Sequence, residues 1–250
     1  MIRRAYYVAA YYASWAVFGA VGVLLNVASL PLLLLPRTPT GGASMRRVIR
    51  ALFDFWLRWM HATGVVRVTW RGFERPLAPG AVFIANHPTL VDATFLLARL
   101  PDAICIFKPA LMRNPAIGPA AVLAGYASGV PGVDLVREVA AKIAAGQSLL
   151  VFPEGTRTDP GRSLNPLRPG FALIAARAAA PVQLFTIRAS EGLVPRGRAW
   201  WKPPIELPGW VEISLDRCWD HDANRSPADL TEEVQRHLST QLANAAEIAR

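Results

Sequence analysis

Residues 5–36 contain no charged side chain, and this run constrains the fold of the chain more than any other feature. A helix needs roughly 20 predominantly apolar residues to cross a bilayer, so the run is long enough to do so. Asn26 and Pro31 interrupt it, so a bent or re-entrant hairpin fits as well as one straight span. A cleaved signal peptide is disfavoured, because the run exceeds the usual apolar core of ~7–15 residues. We therefore expect membrane-associated helices over residues 1–63.

Residues 45–63 predict an amphipathic helix after the apolar run. At helical spacing its charged residues share one side and large apolar residues share the other: Arg46, Arg47, Arg50, Asp54 and Arg58 against Val48, Leu52, Phe55, Trp56 and Trp59. A basic face opposite a Trp/Phe face is typical of a helix in the membrane interface. The alternative is an ordinary amphipathic helix packed on the rest of the chain.

The net charge of +9, carried by 24 Arg and 3 Lys, favours anionic partners. The first 53 residues contain no Asp or Glu, so positive charge flanks the apolar run, as in membrane proteins. Nucleic acid is not an expected partner, since no helix-turn-helix, zinc or RNA-recognition signature is present. Cys105 and Cys218 lie in apolar runs without metal-ligand spacing, and both are interpreted as buried small residues.

From residue 64 to residue 250, short apolar runs alternate with helical patterns. The predicted strands are 65–71, 81–85, 103–107, 148–152, 182–187 and 211–215, and the predicted helices are 91–100, 116–127, 136–145, 171–180 and a last one capped by Ser226. This alternation predicts an α/β sandwich around a mixed, largely parallel sheet.

The first of two polar turns has the sequence NHPTLVD at residues 86–92, directly after a predicted strand. A neutral imidazole there can remove a proton from an alcohol that attacks a carbonyl. It needs an acceptor on its other ring nitrogen to fix the tautomer, and Asp92 in the first turn of a helix can fold back to supply it. The alternative is that Asp92 caps the helix while His87 packs beside it.

The second turn has the sequence FPEGTR at residues 152–157. Gly155 permits close backbone approach, Thr156 adds a hydroxyl, and Arg157 adds a fork suited to a phosphate. Glu154 would repel a phosphate, so we expect it to accept from a substrate hydroxyl or to hold Arg157. The alternative is a structural turn held by a Glu–Arg pair. Because both turns follow apolar strands, they are expected at one sheet edge, where α/β proteins bind ligands.

Together the two turns resemble the first and third sequence blocks of the glycerolipid acyltransferases, of the lysophosphatidic acid or lysophospholipid acyltransferase type. The resemblance extends loosely over residues 82–187. It implies that His87 is a general base oriented by Asp92, and that the acceptor is bound by Glu154, Gly155, Thr156 and Arg157. Lys108 resembles a lysine between the first two blocks that steadies a phosphate; the alternative is a snorkelling surface lysine.

The resemblance also implies a membrane-bound O-acyltransferase. The acyl group would pass directly from an acyl-CoA or acyl-carrier-protein thioester to the free hydroxyl of a lysophospholipid such as 1-acyl-glycerol-3-phosphate. No bound cofactor, metal or covalent acyl-enzyme is implied. The expected partners are membrane lipids, the lysolipid acceptor and an acyl-carrier protein. If residues 5–36 span, the arginines after them predict a bacterial inner-membrane protein with its catalytic domain on the cytoplasmic side.

The second block departs from the family pattern, because residues 125–134 contain no arginine in the expected place. Arg137 slightly downstream is the candidate replacement, or a solvated helix residue. The departure leaves a non-phosphate acceptor open, such as a lyso-ornithine lipid or a polyene-lipid precursor. A lipid ester or thioester hydrolase is a further alternative, although no Gly-x-Ser-x-Gly elbow is present. A non-catalytic lipid-binding protein is the third.

Overall fold

The computed structural model describes residues 2–107, 109–115, 117–129, 132–190 and 193–248, the last five of these by their backbone only. The helices are α1 (Ile2–Ser29), a 3-10 turn (Pro31–Leu34), α2 (Pro39–Ala62), α3 (Asp92–Leu97), α4 (Pro109–Met112), α5 (Gly118–Leu123), α6 (Val133–Ala144), α7 (Gly170–Ala178) and α8 (Pro227–Ile248). The strands are β1 (Val66–Arg71), β2 (Val82–Ala85), β3 (Ala103–Phe107), β4 (Ala127–Ser128), β5 (Ser148–Val151), β6 (Val182–Ala189) and β7 (Gly209–Trp219).

The seven strands form one sheet in the order β1-β7-β6-β2-β5-β3-β4. Strands β2 to β6 run parallel to one another, while β7 pairs antiparallel with β6 and β1 pairs parallel with β7. The sheet is therefore mixed and largely parallel, which confirms the α/β fold class predicted from the sequence. Strand β2 lies at its centre, between β5 and β6.

Both faces of the sheet centre are covered by helices. All four residues of β2 are buried, although successive side chains point to opposite faces. Helices α6, α7 and α8 pack on one another in sequence order, and α1, α2, α3 and α5 form a second group of mutually packed helices. Such two-sided coverage explains why β2, β3 and β5 are continuous apolar runs, with no polar face.

The predicted helix over residues 116–127 was too long. Residue 116 lies outside the described part, and α5 begins at Gly118 and ends at Leu123. Gly125 adopts a left-handed conformation (φ +74°) that ends the helical segment, and Ala127 and Ser128 pair with β3 as strand β4. By contrast, the cap predicted at Ser226 is confirmed, because its Oγ accepts from the backbone N of Asp229 at 3.1 Å.

The N-terminal segment forms two helices, and of the two interruptions seen in the sequence the chain bends at Pro31 and not at Asn26. Helix α1 continues through Asn26, whose side-chain Nδ2 donates to the carbonyl of Gly22, and it ends before Pro31. Its Oδ1 accepts from the backbone N of Ala120 at 3.0 Å. Near the other end of α1, the Tyr6 hydroxyl donates to the carbonyl of Thr63. Helix α1 therefore lies along the α/β body over most of its length.

Helix α2 begins at Pro39, earlier than predicted, and has three faces rather than two. One face packs on the core through Ile49, Trp56, Leu57 and Met60. Arg46, predicted on the exposed basic side, is instead buried, and its Nε donates to Asp102 at 2.7 Å. Arg46 Nη1 also donates to the carbonyl of Ala124, so the buried guanidinium ties α2 to the body.

The other two faces of α2 are exposed and differ in character. Arg47, Arg50 and Arg58 lie on one, while Val48 and Phe55 form an apolar stripe on the other. The stripe is directed away from the core, as an interfacial helix requires. The buried residues of α1 and α2 belong to the same hydrophobic core as the sheet; for example, the rings of Trp56 and Phe95 stack at 6.4 Å. The division at residue 63 stays a prediction.

Candidate active site

The two polar turns meet at one edge of the sheet. The NHPTLVD turn follows β2 and the FPEGTR turn follows β5, and these neighbouring strands are parallel, with Ile84 in register with Val151. Their carboxyl ends therefore lie side by side, as the sequence predicted. Asn86 fastens the first turn to β6 on the other side, because its side-chain amide exchanges two hydrogen bonds with the backbone of Ile187.

His87 and Asp92 form a hydrogen-bonded pair. The Nδ1 atom of His87 lies 2.8 Å from Oδ2 of Asp92, the first residue of α3. The carboxylate is fully buried, and it also accepts from the backbone N of Thr89 at 2.8 Å and from its hydroxyl at 2.5 Å. With Nδ1–H donated to Asp92, Nε2 of His87 is left as a free acceptor.

The imidazole is held in place yet reachable. The ring of Phe152 stacks on the ring of His87 with centroids 4.1 Å apart and planes 19° apart. Still, the His87 side chain keeps 17% of its surface exposed. An acceptor nitrogen on a fixed, accessible ring is what proton abstraction from a bound hydroxyl needs.

Glu154 has partners other than those that the sequence suggested. Its side chain is 98% buried, leaving 2% exposed, and Oε1 accepts from the backbone N of His87 at 2.8 Å and from the hydroxyl of Thr158 at 3.0 Å. Oε2 accepts from the backbone N of Asn165 at 2.9 Å. Among the described residues Arg157 makes no hydrogen bond to Glu154; its Nη1 donates to the carbonyls of Val194 and Pro195 instead. Glu154 therefore faces inward and binds the chain around His87.

Thr158 adds two further hydrogen bonds to the contact between Glu154 and His87. Its backbone N donates to the carbonyl of His87 at 2.8 Å, while its hydroxyl donates to Glu154. Both backbone polar groups of His87 are thus bonded to the second turn. Sequence reasoning missed Thr158 and Asn165, because nothing in the spacing shows that Thr158 meets His87 or that Asn165 folds back to Glu154.

Arg157 reaches the segment formed by residues 193–201. Its Nη1 donates to the carbonyls of Val194 at 3.2 Å and Pro195 at 3.0 Å, and the backbone N of Leu90 also donates to Val194. Partial burial lowers the pKa of Arg157, the charge of Arg196 lowers it further, and Asp92 raises it. Because Arg157 and Leu90 share the Val194 carbonyl, the guanidinium lies beside the NHPTLVD turn.

The 193–201 segment also contacts helix α1. The hydroxyls of Tyr11 and Tyr12 donate to the carbonyls of Trp200 and Trp201, respectively. The ring of Trp15 lies 5.3 Å from that of Trp200. One stretch of chain thus connects the apolar helix to Arg157, about 145 positions along the sequence.

The remaining predicted residues differ in what the structure shows of them. Gly155 is exposed with a φ of +70°, which favours glycine, and Thr156 is half-buried with no hydrogen bond to the described residues. Lys108 lies outside the described residues. Arg137 is exposed on α6 and lies 3.7 Å from Asp134.

The two cysteines lie on strands β3 and β7 and not in the two turns. Burial raises the pKa of Cys105 to about 12, as for an inert thiol. Cys218 was predicted buried and is instead exposed near the end of β7. Within the described ranges, no group of three or more His, Cys, Asp or Glu residues is arranged to hold a metal ion.

Known proteins resemble this chain in the region that contains the two turns. The family model described as Acyltransferase matches residues 67–188, which include both turns. A 1-acyl-sn-glycerol-3-phosphate acyltransferase of Cocos nucifera is 33% identical over 109 residues, 41% of this chain and 35% of that protein. One of Helicobacter pylori is 30% identical over 157 residues, 54% of this chain and 65% of that protein.

The fold has a counterpart among solved structures. The crystal structure of the 1-acyl-sn-glycerophosphate acyltransferase of Thermotoga maritima superposes with a TM-score of 0.73. The match covers 98% of this chain and 97% of that one, at 21% identity, and it concerns the fold alone. The match spans about a third of the length of the Cocos nucifera and Brassica napus relatives. It spans slightly less than two thirds of the Helicobacter pylori relative. The matched domain and these relatives confirm the resemblance to the glycerolipid acyltransferases that the two sequence blocks carry, over residues 67–188, just under half of the chain.

Proposed function

We propose that this protein is a membrane-associated 1-acylglycerol-3-phosphate O-acyltransferase. The observation that carries the proposal is the His87–Asp92 pair, in which the carboxylate occupies Nδ1 and leaves Nε2 free on a partly exposed ring. Arg157 lies beside the same turn, because it and Leu90 donate to one carbonyl, that of Val194. A general base next to a cation fits an acceptor that has both a hydroxyl and a phosphate. The names of the curated relatives support the same substrate class.

The proposed reaction is a direct transfer. Nε2 of His87 takes the proton from the acceptor hydroxyl as its oxygen attacks the thioester carbonyl, and Asp92 stabilises the imidazolium that forms. The tetrahedral intermediate then collapses, the carbon–sulfur bond breaks, and the departing thiolate takes the proton back from His87. The products are a diacyl lipid and a free thiol, so no acyl-enzyme is needed. Either an acyl-CoA or an acyl-carrier protein can supply the thioester.

Measuring products from labelled donor tests this function. We expect the purified protein to convert oleoyl-CoA or oleoyl-acyl-carrier protein and 1-oleoylglycerol 3-phosphate to phosphatidic acid. Free fatty acid formed at the same rate without acceptor would identify a hydrolase instead. Transfer to a lyso-ornithine lipid but not to the phosphate acceptor would replace the proposed acceptor with a non-phosphate one.

Membrane association rests on the exposed apolar surface of α1 and α2. The segment Ile2–Leu34 is long and apolar enough to cross a bilayer by length and composition, yet one side of α1 contacts the body from Tyr6 to Asn26. A helix that crossed the bilayer would draw the attached body into the hydrocarbon. We therefore propose that α1 and the Val48–Phe55 stripe of α2 bury their exposed sides in one leaflet. The cytoplasmic side and a bacterial inner membrane stay predictions.

Glu154→Gln is expected to lower kcat by roughly 10- to 100-fold with little change in the KM of the acceptor. The amide can still accept from the backbone N of His87, but its NH2 group would face the N–H of Asn165, and an unsatisfied buried donor costs about 1–3 kcal/mol. We expect a lower melting temperature and a displaced imidazole. Steady-state kinetics and thermal unfolding in detergent measure both effects.

Thr158→Val is the matched control for this prediction. It removes one hydroxyl donor to Glu154 while keeping the backbone bond to the carbonyl of His87, so we expect a smaller loss of kcat. An increase in KM without a change in kcat for Glu154→Gln would contradict the inward role. It would return Glu154 to the direct acceptor contact expected from the sequence.

A further inference from the structure

A phosphate on the acceptor must bind close to His87. In a 1-acylglycerol 3-phosphate, the free hydroxyl and the phosphate are on neighbouring carbons of glycerol. When Nε2 of His87 holds the hydroxyl, the phosphate lies within a few bond lengths of the imidazole. The cationic side chains that bind this phosphate must therefore come from chain segments that contact His87 directly.

The FPEGTR turn is such a segment, and Arg168 lies on it. Phe152 stacks on His87, and Glu154 bonds to its backbone, so the turn touches the base from two positions. The backbone N of Arg168 donates to the carbonyl of Pro153 at 2.9 Å. The Arg168 side chain then crosses Gly155. A Cβ atom built on Gly155 would lie 3.1 Å from Nε and 3.2 Å from Cζ of Arg168.

The charge of Arg168 is available to a ligand. Its side chain is exposed and has no hydrogen bond or ion pair within the described ranges. By comparison, Arg157 Nη1 donates to two carbonyls, and Arg196 forms an ion pair with Asp159. The carboxylate of Glu154 beneath the turn is buried, with both oxygens engaged by donors, so it does not offer Arg168 a partner.

Gly155 is required here for two reasons. Its φ of +70° lies in the left-handed region that side chains disfavour. In addition, a Cβ at this position would lie 3.1–3.2 Å from the Arg168 side chain, so the guanidinium would have to shift to make room for it. The glycine thus lets a cation lie directly against the turn that holds His87.

We propose that Arg168 binds the phosphate of the acceptor, together with the N–H groups of Arg157 that the Val194 and Pro195 carbonyls leave unused. Two guanidinium forks from opposite ends of one loop would hold a phosphate monoester between them beside the base. This inference rests on the proposed function. It names a phosphate-binding residue that neither of the two sequence blocks contains.

Direct binding of two acceptors tests the proposal without turnover. The probes are 1-oleoylglycerol 3-phosphate and 1-oleoylglycerol, titrated by calorimetry into the full-length protein in dodecyl maltoside micelles with no acyl donor. We expect Arg168→Ala to raise the Kd of the phosphate probe by roughly 10- to 100-fold, because a hydrogen bond to a charged group is lost. The Kd of the neutral probe should change far less. Arg168→Lys, which keeps the charge without the fork, should fall between the two.

Arg162→Ala is the matched control, since Arg162 lies in the same loop, has the same charge and is exposed. It should bind both probes like the unaltered protein. Equal weakening of both probes by Arg168→Ala, or equal weakening by Arg162→Ala and Arg168→Ala, would overturn the inference. So would an unaltered protein that does not distinguish the probes. Tight binding of the phosphate probe without any acyl transfer would refute the proposed function and leave Arg168 in place.

Discussion

Replacing His87 by alanine is expected to reduce acyl transfer by about 10²- to 10⁴-fold, the contribution of a positioned general base. The loss should appear in kcat, because the ring acts on the proton of an already bound hydroxyl. The fold should survive, since Asp92 keeps both hydrogen bonds from Thr89 and the backbone of His87 keeps its bonds to Glu154 and Thr158. Initial rates with labelled donor and thermal unfolding of the same preparation measure the two effects.

His237→Ala is the matched control. His237 also pairs with a carboxylate, with Nε2 lying 3.0 Å from Asp216, but it lies on α8 and makes no hydrogen bond to either turn within the described residues. Removing this second His–Asp pair should leave the rate of acyl transfer unchanged. A His87→Ala protein with activity near that of the unaltered chain would refute the proposed mechanism.

Asp92→Asn is expected to lower kcat by about 10²- to 10⁴-fold as well, with little effect on KM. The amide has nearly the shape of the carboxylate and can still accept from His87 Nδ1–H, but it carries no charge to stabilise the imidazolium that forms during transfer. Asp92 touches no substrate and acts through His87, which makes it a positioning residue. Rates over a range of acceptor concentrations separate kcat from KM.

The double variant gives the stricter test of this pair. Residues that act as one unit are not additive, so adding Asp92→Asn to His87→Ala should cost almost nothing further in kcat. If the two losses multiply instead, Asp92 does something other than orient and stabilise His87. A loss that appears only as a lower melting temperature would reduce Asp92 to the helix-capping role that the sequence left open.

The strands around the site could be predicted because they are continuous apolar runs that are buried on both faces. The prediction for β3 matched its bounds, and the prediction for β2 began one residue early. Short helices were less predictable. Helix α4 has four residues, too few to show a helical period, and the predicted helix over residues 116–127 hid the turn at Gly125. The three faces of α2 were also not predicted. Its buried face and its exposed Val48–Phe55 stripe are both apolar, so in the sequence they look like one broad apolar face.

The site was predictable where its members are close in sequence. His87 and Asp92 are five residues apart, and a turn followed by a helix start brings them together. Glu154 was expected to accept from a substrate hydroxyl or to hold Arg157. In the structure its two oxygens accept from the backbone N of His87 and of Asn165, which come from two different loops. Arg168 escaped notice for the same reason, since its approach to Gly155 depends on how the loop between them folds back.

The tyrosine contacts of helix α1 bear on how this protein can be shortened. Tyr11 and Tyr12 hold the carbonyls of Trp200 and Trp201, and the same stretch of chain receives Arg157 through Val194 and Pro195. Val194 itself has a φ of +47°, which is costly for a β-branched residue unless its surroundings hold it there. Deleting α1 to gain solubility would thus remove the hydroxyls that hold the 193–201 segment beside Arg157, and loss of activity in such a truncation would say nothing about a need for lipid.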